Sequence, residues 1–142
     1  MFVGQYAHSI DAKGRLAVPA KFRGELKKAV VTKGLEQCLV LYPKKQWDVL
    51  AGKLAAMPIS KANNRAFARL MLAGAMDVEV DSQGRIILPE YLRQYAGVDK
   101  KVVITGLYDR LEIWDEARWT AYQAATEKNS SEIAEALQEL GV

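Results

Sequence analysis

The sequence predicts an α+β fold made of two copies of one unit, each with short strands and flanking helices. Three observations carry that expectation. The stretch HSIDAKGRLAVPAKFR, His8–Arg23, returns as VEVDSQGRIILPEYLR, Val78–Arg93. Asp11, Gly14, Arg15, Pro19 and Arg23 recur as Asp81, Gly84, Arg85, Pro89 and Arg93, always 70 residues on. After each copy come two β-rich runs and then an amphipathic helical pattern. Four short strands per copy are too few to enclose a core. The first repeat with its two helices (1–75) and the second repeat with its C-terminal helices (76–142) are therefore expected to pair about a pseudo-twofold axis as one compact unit.

Taken in order, Gly4–Ile10 reads as a strand entering a tight turn at Asp11–Gly14. Asp accepts hydrogen bonds from backbone amides two residues on, and Gly supplies the positive φ that such a turn needs. Leu16 and Val18 alternate with their neighbours as a half-buried strand does, and Pro19 opens a short helix over Ala20–Leu26. Val30–Thr32 and Leu39–Tyr42 form a hairpin around Gly34. Lys44–Met57 places Trp47, Leu50, Leu54 and Met57 on one helical face, and Ser60 is positioned to cap the next helix, which runs to about Ala73. The pattern then restarts. Asp77–Val80 and Arg85–Leu88 are strands, Glu90–Tyr95 a short helix, and Val102–Ile104 with Leu111–Trp114 a second hairpin, Gly106 standing where Gly34 stood. Trp119 answers Trp47 in a helix from Asp115 to about Glu127, and Ser130–Leu140 closes the chain with Ile133, Leu137 and Leu140 on one face.

Composition narrows the function classes. Half of the 142 residues are hydrophobic and 26% charged, ordinary for a globular protein. No run approaches the roughly 20 apolar residues of a membrane span. A basic region followed by an apolar run is absent at the N-terminus, so no signal peptide is expected. Cys38 is the only cysteine and His8 the only histidine. They read as a small core residue and a surface or turn residue, and with neither a ligand cluster nor a phosphate-binding, dinucleotide or nucleophile-elbow motif, no catalytic residue, cofactor or metal is expected. A reducing cytoplasm fits the cysteine usage. The net charge of +3 hides an asymmetry: residues 1–75 hold 13 Lys/Arg and 4 Asp/Glu, and residues 76–142 hold 7 and 13. Such a split points to a basic surface that meets a polyanion.

The paired motifs D-x-K-G-R-x-x-V-P and D-x-x-G-R-x-x-x-P, behind MFVGQYAHSID, closely resemble those of the MraZ family of bacterial transcriptional regulators, associated with the division and cell-wall gene cluster. The resemblance runs from Met1 to about Leu140. It implies a swapped-hairpin fold of the AbrB and SpoVT type, with the hairpins of the two repeats interleaved into one closed β-barrel. It further implies rings of protomers and DNA contact through the turn Asp11–Arg15, at repeated promoter elements upstream of the regulator's own operon, in a cytoplasmic, nucleoid-associated setting.

The residues support that turn independently. From His8 to Lys28 the first copy carries Lys13, Arg15, Lys21, Arg23, Lys27 and Lys28 against Asp11 and Glu25; from Val78 to Lys101 the second is balanced, with Gln83 where Lys13 stood. A duplicated turn does not require that difference, whereas binding a polyanion would produce it. The first repeat is therefore expected to face DNA and the second copy, with Asp81, Gly84, Arg85 and Arg93, to be mainly architectural. A two-stranded β-ribbon fits the major groove, where Arg15 could read a guanine edge. Lys13, Lys21 and Arg23 suit phosphates, which position without reading sequence. Two readings compete with this one. Asp11 could clamp its turn with Arg15 paired to it and no ligand involved, or the chain could be an oligomeric protein-interaction scaffold that never touches DNA.

Overall fold

A computed structural model describes all residues, Met1–Val142. Its strands are β1 (Phe2–Ser9), β2 (Arg15–Ala17), β3 (Lys28–Lys33), β4 (Leu39–Pro43), β5 (Met76–Glu79), β6 (Arg85–Ile87), β7 (Lys101–Tyr108) and β8 (Leu111–Asp115). Its helices are α1 (Lys44–Ala55), α2 (Ala62–Ala68), α3 (Glu90–Ala96), α4 (Glu116–Lys128) and α5 (Ser130–Ala136). The fold is α+β, with the two copies exchanging strands. Six strands form one antiparallel sheet in the order β1-β7-β8-β4-β3-β5, and β2 pairs with β6 as a separate ribbon. The first strand of each copy thus adds to the hairpin of the other: β1 lies along β7 from Phe2↔Tyr108 to Ser9↔Lys101, and β5 along β3 from Lys28↔Glu79 to Val31↔Met76.

The sheet does not close into a complete barrel, because β1 and β5 remain its two ends. The strands that could have joined them are only three residues long and bond to each other, with a single bridge from Ile10 to Leu16 tying the ribbon to β1. The enclosed core draws equally on both copies: Leu16 with Ile86, Val18 with Leu88, and Phe22 with Leu92 are all buried. Phe2 anchors β1 there by an edge-to-face contact with Phe22, ring centroids 5.0 Å apart.

Several local expectations are revised. The segment after Pro19 is one 3₁₀ turn, Ala20–Phe22, while its counterpart α3 is a full helix. Gly24 stands where α3 has Gln94, and glycine costs about 1 kcal/mol in a helix interior. Ser60 does not cap α2; Lys61 occupies that position without a side-chain bond, and Arg65 instead donates to the Ser60 carbonyl at 3.1 Å. The helix then widens into a π-helical turn, Arg69–Ala73, whose Met71 carbonyl accepts from the buried Thr32 hydroxyl at 2.6 Å. Gly106 is not at a turn tip as Gly34 is, but lies inside β7 opposite Gly4 of β1. Trp47 and Met71 are buried, Phe67 is exposed, and Tyr108 is 70% exposed at the β7–β8 tip with φ of 71°. No helix is long and apolar enough to cross a membrane.

Candidate nucleic-acid interface

The two turns have the same construction. Asp11 Oδ1 accepts from the amides of Lys13 (3.0 Å) and Arg15 (2.9 Å), and its Oδ2 accepts from Arg15 Nε at 2.6 Å. Asp81 Oδ1 accepts from the amides of Gln83 and Arg85, both at 2.9 Å, and Oδ2 from Arg85 Nε at 3.3 Å. Each aspartate is therefore a clamp on its own turn. Each arginine is held by Nε alone, so its Nη groups, the ones that could pair with a base edge or a phosphate, have no partner in the chain.

Hydrogen bonds from the Arg15 amide first, then from its guanidinium and the Lys13 amide, hold the Asp11 carboxyl below the usual carboxylate range. The Arg85 amide does the same for Asp81. A depressed folded pKa contributes stability above the unfolded value of about 3.9 and loses it as pH falls through the folded value. A carbon-detected carboxyl titration is expected to place both aspartates below the ordinary carboxylate value of about 3.9, and Asp11→Asn to remove the pH dependence of the first turn. An ordinary midpoint for Asp11 would mean the clamp is not formed in solution.

The ribbon then determines where the arginines lie. Arg15 pairs with Ile87, Leu16 with Ile86, and Ala17 with Arg85. Leu16 and Ile86 are buried, so Arg15, Ala17, Arg85 and Ile87 occupy the outward face. Arg15 and Arg85 are diagonal neighbours there, roughly 7–8 Å apart. The two turns cap opposite ends of this ribbon, and each is tied to the other copy: Val18 donates to the Gly84 carbonyl (2.9 Å) and Leu88 to the Gly14 carbonyl (2.8 Å).

Arg23 and Arg93 play a different part from Arg15. Arg23 Nε donates to the Val18 carbonyl at 2.9 Å, and its guanidinium lies against Gly84, where any Cβ would collide with it. Arg93 mirrors this, donating to the Leu88 carbonyl at 3.0 Å and lying against Gly14. Gly14 is required twice over: φ is 81°, and a Cβ would fall 2.7 Å from the Leu88 carbonyl oxygen. Arg23 thus locks the exchanged turns together, a use that sequence spacing did not reveal. Lys21 stays exposed with its ammonium over the Tyr6 ring, 4.7 Å from the centroid, and Lys13 is exposed at the turn tip. His8 is half-buried near Arg23; burial, then that arginine's charge, lowers its pKa. Cys38 is a core residue, and burial pushes its thiol up.

Strand exchange also redistributes charge. Lys100 and Lys101 belong to the second copy, yet they flank the first turn: the Lys100 carbonyl accepts from Ile10 at 2.8 Å, and Lys101 pairs with Ser9. Lys27 and Lys28 of the first copy flank the second turn, lining one cleft with Asp81 or pairing with Glu79. The contrast between a basic and a balanced copy is real along the chain, but in space each turn has two lysines beside it. Sequence reading missed Lys100 and Lys101 because their neighbours are 90 residues away.

Comparison with known proteins agrees with this duplication. The family model described as "MraZ protein, putative antitoxin-like" matches twice, over residues 1–70 and 71–140. A protein named "Transcriptional regulator MraZ" from Halothermothrix orenii is 47% identical over 143 residues, covering 100% of both chains. Its namesakes in Acetivibrio thermocellus and Carboxydothermus hydrogenoformans are similar too: 46% identical with 100% of both chains covered, and 48% identical with 95% of both covered.

Proposed function

The chain belongs to the MraZ family of transcriptional regulators, not an enzyme class, and from that premise we propose that it binds promoter DNA sequence-specifically through the β2–β6 ribbon. The observation that carries the reading is the outward ribbon face, with Arg15 and Arg85 diagonal to each other, each fixed at Nε and open at its Nη groups. A two-stranded ribbon is of a size to enter the major groove, and a guanidinium can donate two hydrogen bonds to guanine O6 and N7. Lys13, Lys100 and Lys101 at one end and Lys27 and Lys28 at the other suit the phosphates on either side of the groove; Lys21 is a further phosphate contact. Asp11, Asp81, Gly14 and Gly84 build the turns, and Arg23 and Arg93 lock them.

Charge along the sequence favoured the first copy alone as the DNA-facing one. The shared ribbon face supports a joint role, with Arg15 the stronger contributor because Lys13 stands beside it and only Gln83 beside Arg85. One ribbon offers few base contacts, so affinity rests on several copies engaging repeated elements, which raises avidity by ~10²–10⁴ when spacing matches. The site of action is the cytoplasm, at the nucleoid, and the target is repeated short elements upstream of the protein's own operon in the division and cell-wall gene cluster. Footprinting on that upstream DNA tests the reading: periodic protection is expected, and uniform or absent protection would contradict it.

A further inference from the structure

The outward face of the β2–β6 ribbon carries more than its two arginines. Arg15 stands opposite Ile87, and Ala17 opposite Arg85. The duplication relates Arg15 to Arg85 but Ala17 to Ile87, so the face is twofold in its arginines and not in their neighbours. Ile87 is 60% exposed and belongs to neither apolar cluster of the chain. Leu16 and Ile86, on the other face of the same ribbon, are buried.

Strand formation does not account for that isoleucine, because threonine has the same branched Cβ and suits a wetted pleated surface as well. A single exposed apolar residue is ordinary on a protein surface. This one has Arg15 across the ribbon and Arg85 two residues back along its own strand. It therefore sits on the face proposed to enter the major groove. That groove offers one apolar substituent, the C5-methyl group of thymine, among hydrogen-bond donors and acceptors. An isoleucine placed over cytosine meets no methyl group and crowds the N4 amino group, which then loses water without gaining a partner. Directly opposed residues of a ribbon have Cβ atoms roughly 4.5–5.5 Å apart, and bases follow one another about every 3.4 Å along a strand. The groups that Arg15 and Ile87 reach therefore lie within about two base pairs of each other.

We propose that Ile87 is a specificity-determining residue of the ribbon, closing on the C5-methyl group of a thymine beside the guanine that Arg15 contacts. This rests on the DNA-binding reading and deepens it. The arginines fix where guanines stand, and Ile87 selects thymine over cytosine next to them. Ala17 ends at its Cβ and makes no equivalent contact, so the methyl group is read from the second copy only. Each DNA element then has a direction, although the ribbon that reads it is built from two copies of one motif.

The test removes the methyl group and the isoleucine, separately and together, using the full-length chain. Promoter DNA is prepared in two forms, one with thymine and one with deoxyuridine at every thymine position, which differ only in their C5-methyl groups. Wild type is expected to bind the deoxyuridine form at least about fourfold more weakly, the effect of one methyl group withdrawn from water. Ile87→Ala, with its fold checked by circular dichroism, is expected to lose a similar factor on the thymine form and to bind both forms alike. Ile87→Val keeps a branched apolar side chain and is expected to retain most of the discrimination. Equal affinity of wild type for the two forms, or an Ile87→Ala protein that still discriminates between them, would overturn the proposal. So would an Ile87→Ala protein whose mass by light scattering falls below that of wild type, which would place Ile87 in a contact between copies. Arg15→Ala on the thymine form separates the two ways of failing. If it abolishes binding while deoxyuridine has no effect, the ribbon reads DNA without Ile87. If it binds like wild type, the ribbon reading falls and this inference with it.

Discussion

Arg15→Ala is expected to abolish specific binding to promoter DNA while leaving the circular dichroism spectrum unchanged. The fold tolerates the change because Asp11 Oδ1 keeps its two backbone amide donors, and the Leu16 beneath remains buried. What disappears is the guanidinium whose free Nη groups face outward. One bidentate base contact is worth ~1–3 kcal/mol, and the deficit recurs in every copy engaged on a repeated operator. Arg85→Ala is expected to weaken specific binding by about tenfold, less than Arg15→Ala, because Gln83 rather than a lysine stands beside it. Mobility shifts on promoter DNA decide the order. A folded Arg15→Ala protein that binds like wild type would remove the ribbon from the role of reader.

The largest stability effect is expected at Gly106. A Cβ there would collide with the Val3 backbone and fall 2.6 Å from the Phe2 carbonyl carbon, so there is no flexible side chain to move aside. β1 lies along β7 here, Gly4 opposite Gly106, and Phe2 is 1% exposed. Gly106→Val must push β1 away or tilt it. Overpacking of this kind costs about 1–3 kcal/mol, a fall in Tm of roughly 3–10 °C for a chain of this size. Gly24→Ala is the control, with no atom within 4 Å of the added carbon. Thermal unfolding of the two variants checks it; equal midpoints would mean that β1 does not approach β7 so closely.

Much of the fold was legible because duplication repeats its own evidence. The turn residues Asp11 and Gly14 act as their types predict, clamp and positive φ, and both hairpins lie where β-branched runs placed them. What could not be read was which copy each strand joins. Local periodicity is the same whether β1 adds to its own hairpin or to the other, so the exchange entered only through family resemblance. The same blindness affected the site. Arg23 looked like one more cation in a basic run, yet its Nε is bonded to the Val18 carbonyl and its guanidinium packs on the Gly84 turn, a structural use that spacing did not show. Lys100 and Lys101 looked remote and stand beside Asp11. Charge summed along a chain locates a surface only when the chain does not cross over itself.

Affinity as a function of salt, on promoter and scrambled duplex, for wild type, Lys21→Ala and Arg15→Ala, separates base reading by the ribbon from phosphate contact. Removing one lysine–phosphate pairing flattens the log–log slope by roughly 0.9. Lys21 lies in the 3₁₀ turn after Pro19, outside the ribbon strands, with its ammonium over Tyr6. Lys21→Ala is expected to flatten the slope by about that amount and to weaken both duplexes alike. Arg15→Ala is expected to collapse the ratio of specific to non-specific affinity. A specificity ratio that falls with Lys21→Ala and survives Arg15→Ala would mean that the 3₁₀ turn after Pro19 reads the bases and the ribbon only supports it.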